Sequence, residues 1–344
     1  MTKRKFLSGK SVLITGGTGS LGKTLARKLL LEDECSRVII FSRDEWKQWE
    51  MGRQDPIFNS SKIRYFLGDV REEKRLARAF RGVDYVIHAA ALKQVPAAEY
   101  NPSEFVNTNV NGAQNVINAA IDCNVERVLA ISTDKAVNPI NLYGATKLCS
   151  DKLFIHGNAY VGTDGTPKFA VARYGNVLGS RGSIIPLWQQ MLSNGATSLP
   201  VTDPRMTRFW ITLDGAAEFV LHCLEFMHGG EIFIPKIPSM KISDLAEAIA
   251  PDTPKDIVGI REGEKLHEMM ISSDDSHRSM EFDGHYLILP DTKFAPSLPE
   301  AVMKQGKALA DGFVYASNTN EQWLTVEELR DIIEKIANQP TPIK

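Results

Sequence analysis

The feature that most constrains this chain is a glycine turn set between a buried apolar run and an amphipathic stretch. Ser11–Thr15 (SVLIT) is continuously apolar at its centre and reads as a strand covered on both faces. It runs directly into Thr15–Gly22 (TGGTGSLG), where Gly16, Gly19 and Gly22 stand three apart, and then into helical periodicity over Ser20–Leu31. Glycine permits the tight turn and lets the backbone approach a pyrophosphate closely. The helix start offers unpaired N–H groups to that anion. Thr18, Ser20 and Leu21 lie in the same turn. Strand, turn and helix together give the pattern a specificity that the glycines alone lack.

The first 180 residues repeat that alternation. Arg37–Phe41, Ile63–Leu67, Tyr85–His88, Arg127–Ser132 and Lys168–Ala172 read as further buried strands, and stretches around 72–80, 103–122 and 142–156 as helices. Strands alternating with helices imply right-handed crossovers and a parallel sheet. The expected class is α/β: a Rossmann-type doubly wound parallel sheet with a smaller C-terminal substrate-binding lobe. The expected division is 1–180 plus about 209–237 for the dinucleotide domain, and about 181–208 plus 238–344 for the lobe. Phe209–Leu213 and Glu231–Pro235 would return to the sheet, around a helix from Asp214 to about Met227. The polar stretch 272–284 reads as a surface loop, and Thr325-Val-Glu-Glu328 as a capping box opening a helix from Val326 to about Ala337.

Composition excludes several classes. A net charge of -2 supplies no concentrated positive field for nucleic acid or an anionic membrane. No run approaches the roughly 20 apolar residues of a membrane span. The basic start lacks the apolar core of a signal peptide, so a cytoplasmic protein is expected. Cys35, Cys123, Cys149 and Cys223 are far apart and are expected to be buried, reduced thiols. His267-Glu268 begins like a zincin motif, but Ile271 stands where the second histidine belongs, and no metal site is expected.

The second strand ends Phe41-Ser42-Arg43-Asp44. An acid there would bind the ribose 2′-hydroxyl of NAD. Arg43, with Ser42 as a further donor, suits the 2′-phosphate of NADP, while Asp44 keeps NAD as the minority reading. Lys47 joins this group. Asp69 and Val70 follow the third strand, where an adenine ring would sit. Ala89 and Ala90 follow the fourth, small enough for the backbone to run beside a cofactor. Lys93, just beyond, is placed to touch both cofactor and sugar. Asn107 joins the cofactor set from N-T-N-V-N-G, whereas Asn109 and Gly112 in that run have the alternative of holding strands and helix together.

Tyr143 and Lys147, four apart in Y-G-A-T-K, lie on one face of a helix. A phenol with a pKa near ~10 is a poor base at neutral pH, and a nearby ammonium favours its phenolate. The same lysine can hold a nicotinamide ribose. Thr133-Asp134-Lys135 ends the fifth strand ten residues earlier. Reductases and 4-epimerases need a Tyr, a Lys and a Ser/Thr; the additional Asp134 and Lys135 suit an elimination of water across sugar carbons 5 and 6. In that scheme Tyr143 takes the 4-hydroxyl proton, Thr133 hydrogen-bonds that oxygen, Lys135 as a neutral amine removes the carbon-5 proton, and Asp134 protonates the leaving 6-hydroxyl. Lys135 would need a lowered pKa. The bland alternative pairs Asp134 with Lys135 structurally.

These segments, with GDV, HAAALK, STDKAVNP and ARYGNVLGSRG, resemble the extended short-chain dehydrogenase/reductase family over nearly the whole chain. STDKAVNPINLYGATK, ALKQVP and DPRMTRFWITL narrow the resemblance to UDP-N-acetylglucosamine 4,6-dehydratases, most closely the short, soluble, inverting type that opens pseudaminic acid biosynthesis. The resemblance implies tightly bound NADP, UDP-N-acetylglucosamine as substrate and a homo-oligomer. It also implies a sugar-nucleotide site including Lys93, Thr133, Asn176, Arg181, Gly182, Ser183, Arg205, Arg208, Arg261 and Glu264. Longer membrane-anchored relatives share S-T-D-K but have Met where this chain has Tyr143. Lys135 alone does not set the stereochemistry at carbon 5. The rival readings are a UDP-sugar 4-epimerase and a non-catalytic NADP-binding scaffold on the same fold.

Overall fold

In the computed structural model, which describes residues 4–31, 35–162, 165–290 and 296–338, the first apolar run lies inside a ten-stranded sheet. The chain runs β1 (Ser11–Thr15), α1 (Ser20–Leu31), β2 (Arg37–Ser42), α2 (Glu45–Gln54), β3 (Ile63–Leu67), α3 (Glu73–Ala79) and β4 (Tyr85–His88). It continues through α4 (Val95–Tyr100), α5 (Pro102–Phe105), α6 (Gly112–Asp122), β5 (Arg127–Thr133), α7 (Leu142–Val161) and β6 (Lys168–Tyr174). In space the strands lie β3-β2-β1-β4-β5-β6, all parallel. The winding reverses between β1 and β4, so a crevice opens at the carboxyl ends of those two strands, where doubly wound sheets bind ligands.

Burial explains why the strands read as continuous apolar runs. All five residues of β1 are buried, and Val12, Leu13 and Ile14 are fully so. Each such side chain contributes about 1.5–3 kcal/mol. At the sheet edge β3 is covered less well, and Tyr65 and Leu67 are exposed.

Beyond β6 the structure departs from the sequence reading in two places. Ile232–Pro235 does join the sheet, parallel to β6. Thr207–Ile211, however, pairs with Ser239–Lys241 and Asn176–Val177 in a separate three-stranded sheet. The reason is that Ile232–Pro235 occupies the edge of β6, leaving the strand at 207–211 no partner there. The stretch 272–284 is not a surface loop. Ser273–Arg278 is a 3-10 helix, and Ser279–Glu281 with His285–Ile288 and Lys307–Ala308 extends the large sheet antiparallel. Ser272, Ser276 and Ser279 are buried because their hydroxyls find local acceptors: Ser272 Oγ donates to Asp275 at 3.0 Å, Ser276 Oγ to the Ser273 carbonyl at 2.6 Å and Ser279 Oγ to the Asp275 carbonyl at 2.7 Å.

A second apolar cluster, including Trp188, Trp210, Met240, Leu245 and Leu329, lies apart from the main core. The last helix, Val326–Asn338, packs on the helix Ile242–Ile249 beside it. Its capping box is formed: the Thr325 N–H donates to Glu328 and the Glu328 N–H to Thr325 Oγ1, at 2.9 and 3.1 Å. Among the described residues no helix is long and apolar enough to cross a membrane. Cys35 and Cys223 are buried as expected, but Cys123 is only partly covered and Cys149 is exposed.

Candidate active site

The glycine turn is built for close approach. Gly16 has φ +67, and a Cβ there would lie 2.9 Å from the Ala90 backbone; one on Gly22 would lie 2.6 Å from Gly17. The turn closes through the Gly19 N–H to the Gly16 carbonyl at 2.9 Å. Thr15 locks it to the segment after β4, accepting the Ala89 N–H at its carbonyl and the Ala90 N–H at Oγ1, each at 3.2 Å. Thr18 is buried in the turn, and α1 begins at Ser20, with Leu21 and Gly22 in its first turn. The residues present fit a dinucleotide pyrophosphate.

At the end of β2 the charges sort themselves. Asp44 caps α2, accepting the Lys47 N–H at 3.0 Å, and its carboxylate pairs with Lys47 Nζ at 2.6 Å. Ser42 Oγ accepts from Gln48 at 3.0 Å. Arg43 is half-exposed and lies 3.9 Å from Asp69, whose carboxylate is held more closely by Arg71 at 2.8 Å. Asp69, Arg71, Glu72, Asn107 and Asn111 line a cleft of about 430 Å³ beside this corner. Asn109 serves structure: it accepts the Leu92 N–H at 2.9 Å and donates to the Leu92 carbonyl at 2.9 Å and Thr146 Oγ1 at 3.1 Å. Gly112 packs on Val70, which a Cβ would meet at 2.9 Å.

The candidate reaction centre forms where β5 ends. Thr133 leads into a 3-10 turn, Asp134–Ala136, and α7 starts opposite it, capped by Asn141 accepting the Gly144 N–H at 2.8 Å. Thr133 Oγ1 donates to Asp134 Oδ1 at 2.9 Å, and Lys135 Nζ donates to the same oxygen at 3.1 Å. Asp134 is fully buried and its Oδ2 has no partner. Tyr143 is 8% exposed and Lys147 3%. Burial pushes the Tyr143 hydroxyl up to about 12, against the Lys135 charge and a hydrogen bond with Thr133. Burial lowers Lys147, opposed by Asp151.

Two expectations need correction. The cation that acts most on Tyr143 is Lys135, from the turn, and not Lys147 one helical turn away. Lys135 is not lowered but raised: burial acts against its charge, yet the carboxylates of Asp134 and Glu268 outweigh burial. Glu268 arrives from far along the chain to stand 3.2 Å from Lys135 Nζ. Sequence reasoning saw it only as a failed zincin fragment. It also missed Asp151, which accepts from Ser132 Oγ at 2.7 Å and lies 3.3 Å from Arg173; its position four after Lys147 was the available signal. His88 was missed too, buried with Nδ1 2.8 Å from Thr15 Oγ1 and its pKa lowered to about 3 by burial and then by Lys147.

The residues assigned to the sugar nucleotide fall into two groups. Lys93 Nζ donates to the Arg181 carbonyl at 3.1 Å, and the Arg181 N–H donates to Ser20 Oγ at 3.1 Å, so this loop meets the glycine turn. Lys93 is lowered by burial and by Lys135, which places it within electrical reach of Lys135. Gly182 has φ +72. Among the described residues, buried side-chain atoms without a hydrogen-bond partner include Asp134 Oδ2, Asn176 Oδ1, Ser183 Oγ, Glu264 Oε2 and Glu268 Oε2. The arginines are less free. Arg208 is 6% exposed, and its guanidinium donates to the carbonyls of Thr207, Lys265 and Leu266. Arg205 is exposed, its fork held by Asp203 at 2.8 and 3.0 Å. Arg261 is exposed and lies 3.9 Å from Glu264. Among the described residues no cluster suits a metal ion.

Comparison with known proteins agrees with this geometry. A family model described as "Polysaccharide biosynthesis protein" matches residues 12–290. A Campylobacter jejuni protein named UDP-N-acetylglucosamine 4,6-dehydratase (inverting) is 55% identical over 330 residues, 95% of this chain and 98% of the relative. A Rickettsia massiliae protein named UDP-glucose 4-epimerase is 40% identical, covering 94% and 95%. The crystal structure of Pen from Bacillus thuringiensis superposes with a TM-score of 0.87 at 35% identity, covering 96% and 99%. DesIV, a dTDP-glucose 4,6-dehydratase from Streptomyces venezuelae, shares the fold, with a TM-score of 0.69 at 20% identity over 96% and 97%. The chain belongs to the polysaccharide biosynthesis protein family of extended short-chain dehydrogenase/reductases.

Proposed function

We propose that this protein is a UDP-N-acetylglucosamine 4,6-dehydratase that inverts carbon 5 and retains NADP. The observation that carries the reading is an acid and a base added to the Thr133/Tyr143/Lys147 set: Asp134 and Lys135, in contact at 3.1 Å. The Campylobacter relative's name and its 98% coverage support the substrate and the inversion. NADP rather than NAD is supported by Asp44 being committed to capping α2 while Arg43 stays half-exposed at the cleft. The glycine turn and α1 would hold the pyrophosphate, and the lobe around residues 181–208 and 238–344 the UDP moiety. A cytoplasmic homo-oligomer supplying a 6-deoxy sugar for a surface glycan, such as pseudaminic acid, fits this reading.

A bound nicotinamide dinucleotide supplies the hydride acceptor for carbon 4 and the donor for carbon 6. The chain supplies the proton chemistry. Tyr143 accepts the 4-hydroxyl proton, and the Lys135 charge and the Thr133 hydrogen bond are the two influences that favour its phenolate. Lys135 and Asp134 rest as an ion pair. Passing one proton from Nζ to Oδ1 across their 3.1 Å contact turns the pair into a neutral amine and a carboxylic acid at once. The amine then removes the carbon-5 proton, acidified by the 4-ketone. The acid protonates the leaving 6-hydroxyl, and water departs. Each such acid or base step is worth roughly 100- to 10,000-fold.

The test is proton NMR of the purified protein with UDP-N-acetylglucosamine in heavy water, without added reductant. A 6-methyl signal, a 4-keto sugar and deuterium at carbon 5 are expected, with ring couplings of the inverted product. The Rickettsia relative motivates the second reading, a 4-epimerase. An intact 6-hydroxymethyl group with a mixture of 4-epimers would establish that reading instead.

A further inference from the structure

We propose that Glu268 is a positioning residue of the reaction centre, holding Lys135 at the acid–base site and supplying the counter-charge for the proton that Lys135 takes. The proposal deepens the dehydratase reading and rests on it.

Glu268 is 2% exposed. Its backbone is clamped on both sides, the N–H donating to Ser317 Oγ at 3.0 Å and the carbonyl accepting the Ser317 N–H at 2.8 Å. Its carboxylate is therefore aimed rather than loose. Oε1 stands 3.2 Å from Lys135 Nζ, while Oε2 is buried with no hydrogen-bond partner. Two other cations are near but committed elsewhere. Arg208 Nε is 3.9 Å away, and its guanidinium donates to backbone carbonyls. Lys265 Nζ is 3.9 Å from Oε2 and donates to the Val137 carbonyl at 2.6 Å. A buried carboxylate is costly unless paired, and the closest cation to Glu268 is Lys135.

The chemistry needs such a group. When Asp134 holds the proton for the leaving hydroxyl it is neutral, and it no longer holds the lysine. Glu268 then keeps the amine in place. As the carbon 5–hydrogen bond breaks, its electron pair forms the carbon 5–carbon 6 double bond and the carbon 6–oxygen bond breaks. The carbon-5 proton goes to Nζ, the Asp134 proton goes to the departing oxygen, and water forms. The new ammonium faces Glu268 at 3.2 Å. Around it stand Asp134, Tyr143, Arg208 and, further off, Lys93 and Lys265. Without Glu268 the remaining formal charges are one anion among several cations, so the ammonium form of Lys135 loses ground to the amine.

The experiment compares wild type with Glu268→Gln, each as the cofactor-loaded enzyme without sugar. Limited acetylation at pH 8 is read by peptide mass spectrometry, with exposed Lys304 as the internal reference. Only the neutral amine reacts. An acetylation rate at Lys135 raised about 10-fold or more, one pH unit of change, is expected in Glu268→Gln. Turnover should fall about 10- to 100-fold with KM for the sugar nucleotide nearly unchanged, because Glu268 acts through Lys135. An unchanged Lys135 acetylation rate overturns the proposal, as does wild-type turnover in Glu268→Gln. Should that variant fail to fold, Glu268→Asp, which withdraws the carboxylate by one methylene, is read the same way. The labelling arm needs no turnover. A wild type that makes no 6-deoxy product therefore defeats the dehydratase reading, while Lys135 acetylation still decides the coupling.

Discussion

Gly144, between Tyr143 and the rest of the Y-G-A-T-K segment, is a place where one methyl group should cost both activity and stability. Its backbone is helical, so Gly144→Ala gains about 1 kcal/mol of helix propensity. Against this, the added Cβ would lie 2.2 Å from the Lys135 carbonyl oxygen and 3.0 Å from Pro139 Cβ. Relieving that overlap requires the start of α7 and the Asp134–Ala136 turn to part by roughly 1 Å, at or above the top of the ~1–3 kcal/mol typical of overpacking. The net stability loss should be about 2 kcal/mol or more, because the atom met is backbone and cannot swing aside. The parting also separates Tyr143 from Asp134 and Lys135, and a misplacement of ~1 Å can cost about 100-fold in rate. The assay is 6-methyl formation at saturating UDP-N-acetylglucosamine, with thermal unfolding and retained cofactor measured on the same preparation. A Gly144→Ala enzyme within about 3-fold of wild-type turnover would refute the contact argument.

Arg43→Ala should weaken NADP by about 10- to 100-fold and leave NAD nearly unaffected, since a charge-assisted contact to a phosphate is worth roughly 1.5–3 kcal/mol; calorimetry on cofactor-stripped protein checks this, and equal weakening of both would remove Arg43 from the 2′ position. His88 predicts an acid-side loss of stability. Its pKa is lowered to about 3 in the fold, so below the unfolded value near ~6.5 the unfolded chain takes up a proton that the native state refuses. Stability should therefore fall as pH drops from about 6.5, by up to about 1.4 kcal/mol per pH unit. Urea unfolding at pH 7 and pH 5 should show a shallower loss in His88→Gln, and identical slopes would mean that His88 is protonated in the native state.

Much of the parallel half of the fold was legible because its signals are local. SVLIT, the glycine turn and the helix after it are adjacent, and each glycine answers a contact within the turn, with Ile14 and Ile40 of β1 and β2, or with Ala89 and Ala90 after β4. Tyr143 and Lys147 were legible because four residues of helix put both on one face. The later part was less so. Thr207–Ile211 has a strand's composition, but which sheet it joins depends on Ile232–Pro235 having taken the edge of β6. The polar run 272–284 reads as loop, yet its serines and Asp275 satisfy one another inside the fold.

Residue types and spacing were enough to specify the strand–turn–helix cradle, the parallel winding, and the acid, base and phenol as candidates, because propensity and periodicity are set by near neighbours in the chain. Only the tertiary structure decided their electrical state. It put Lys135 rather than Lys147 foremost beside Tyr143, set Glu268 3.2 Å from Lys135, and so raised a lysine that the chemistry alone wanted lowered. Charges act through space, most strongly where water is excluded, and spacing along the chain carries no record of which distant carboxylate will arrive.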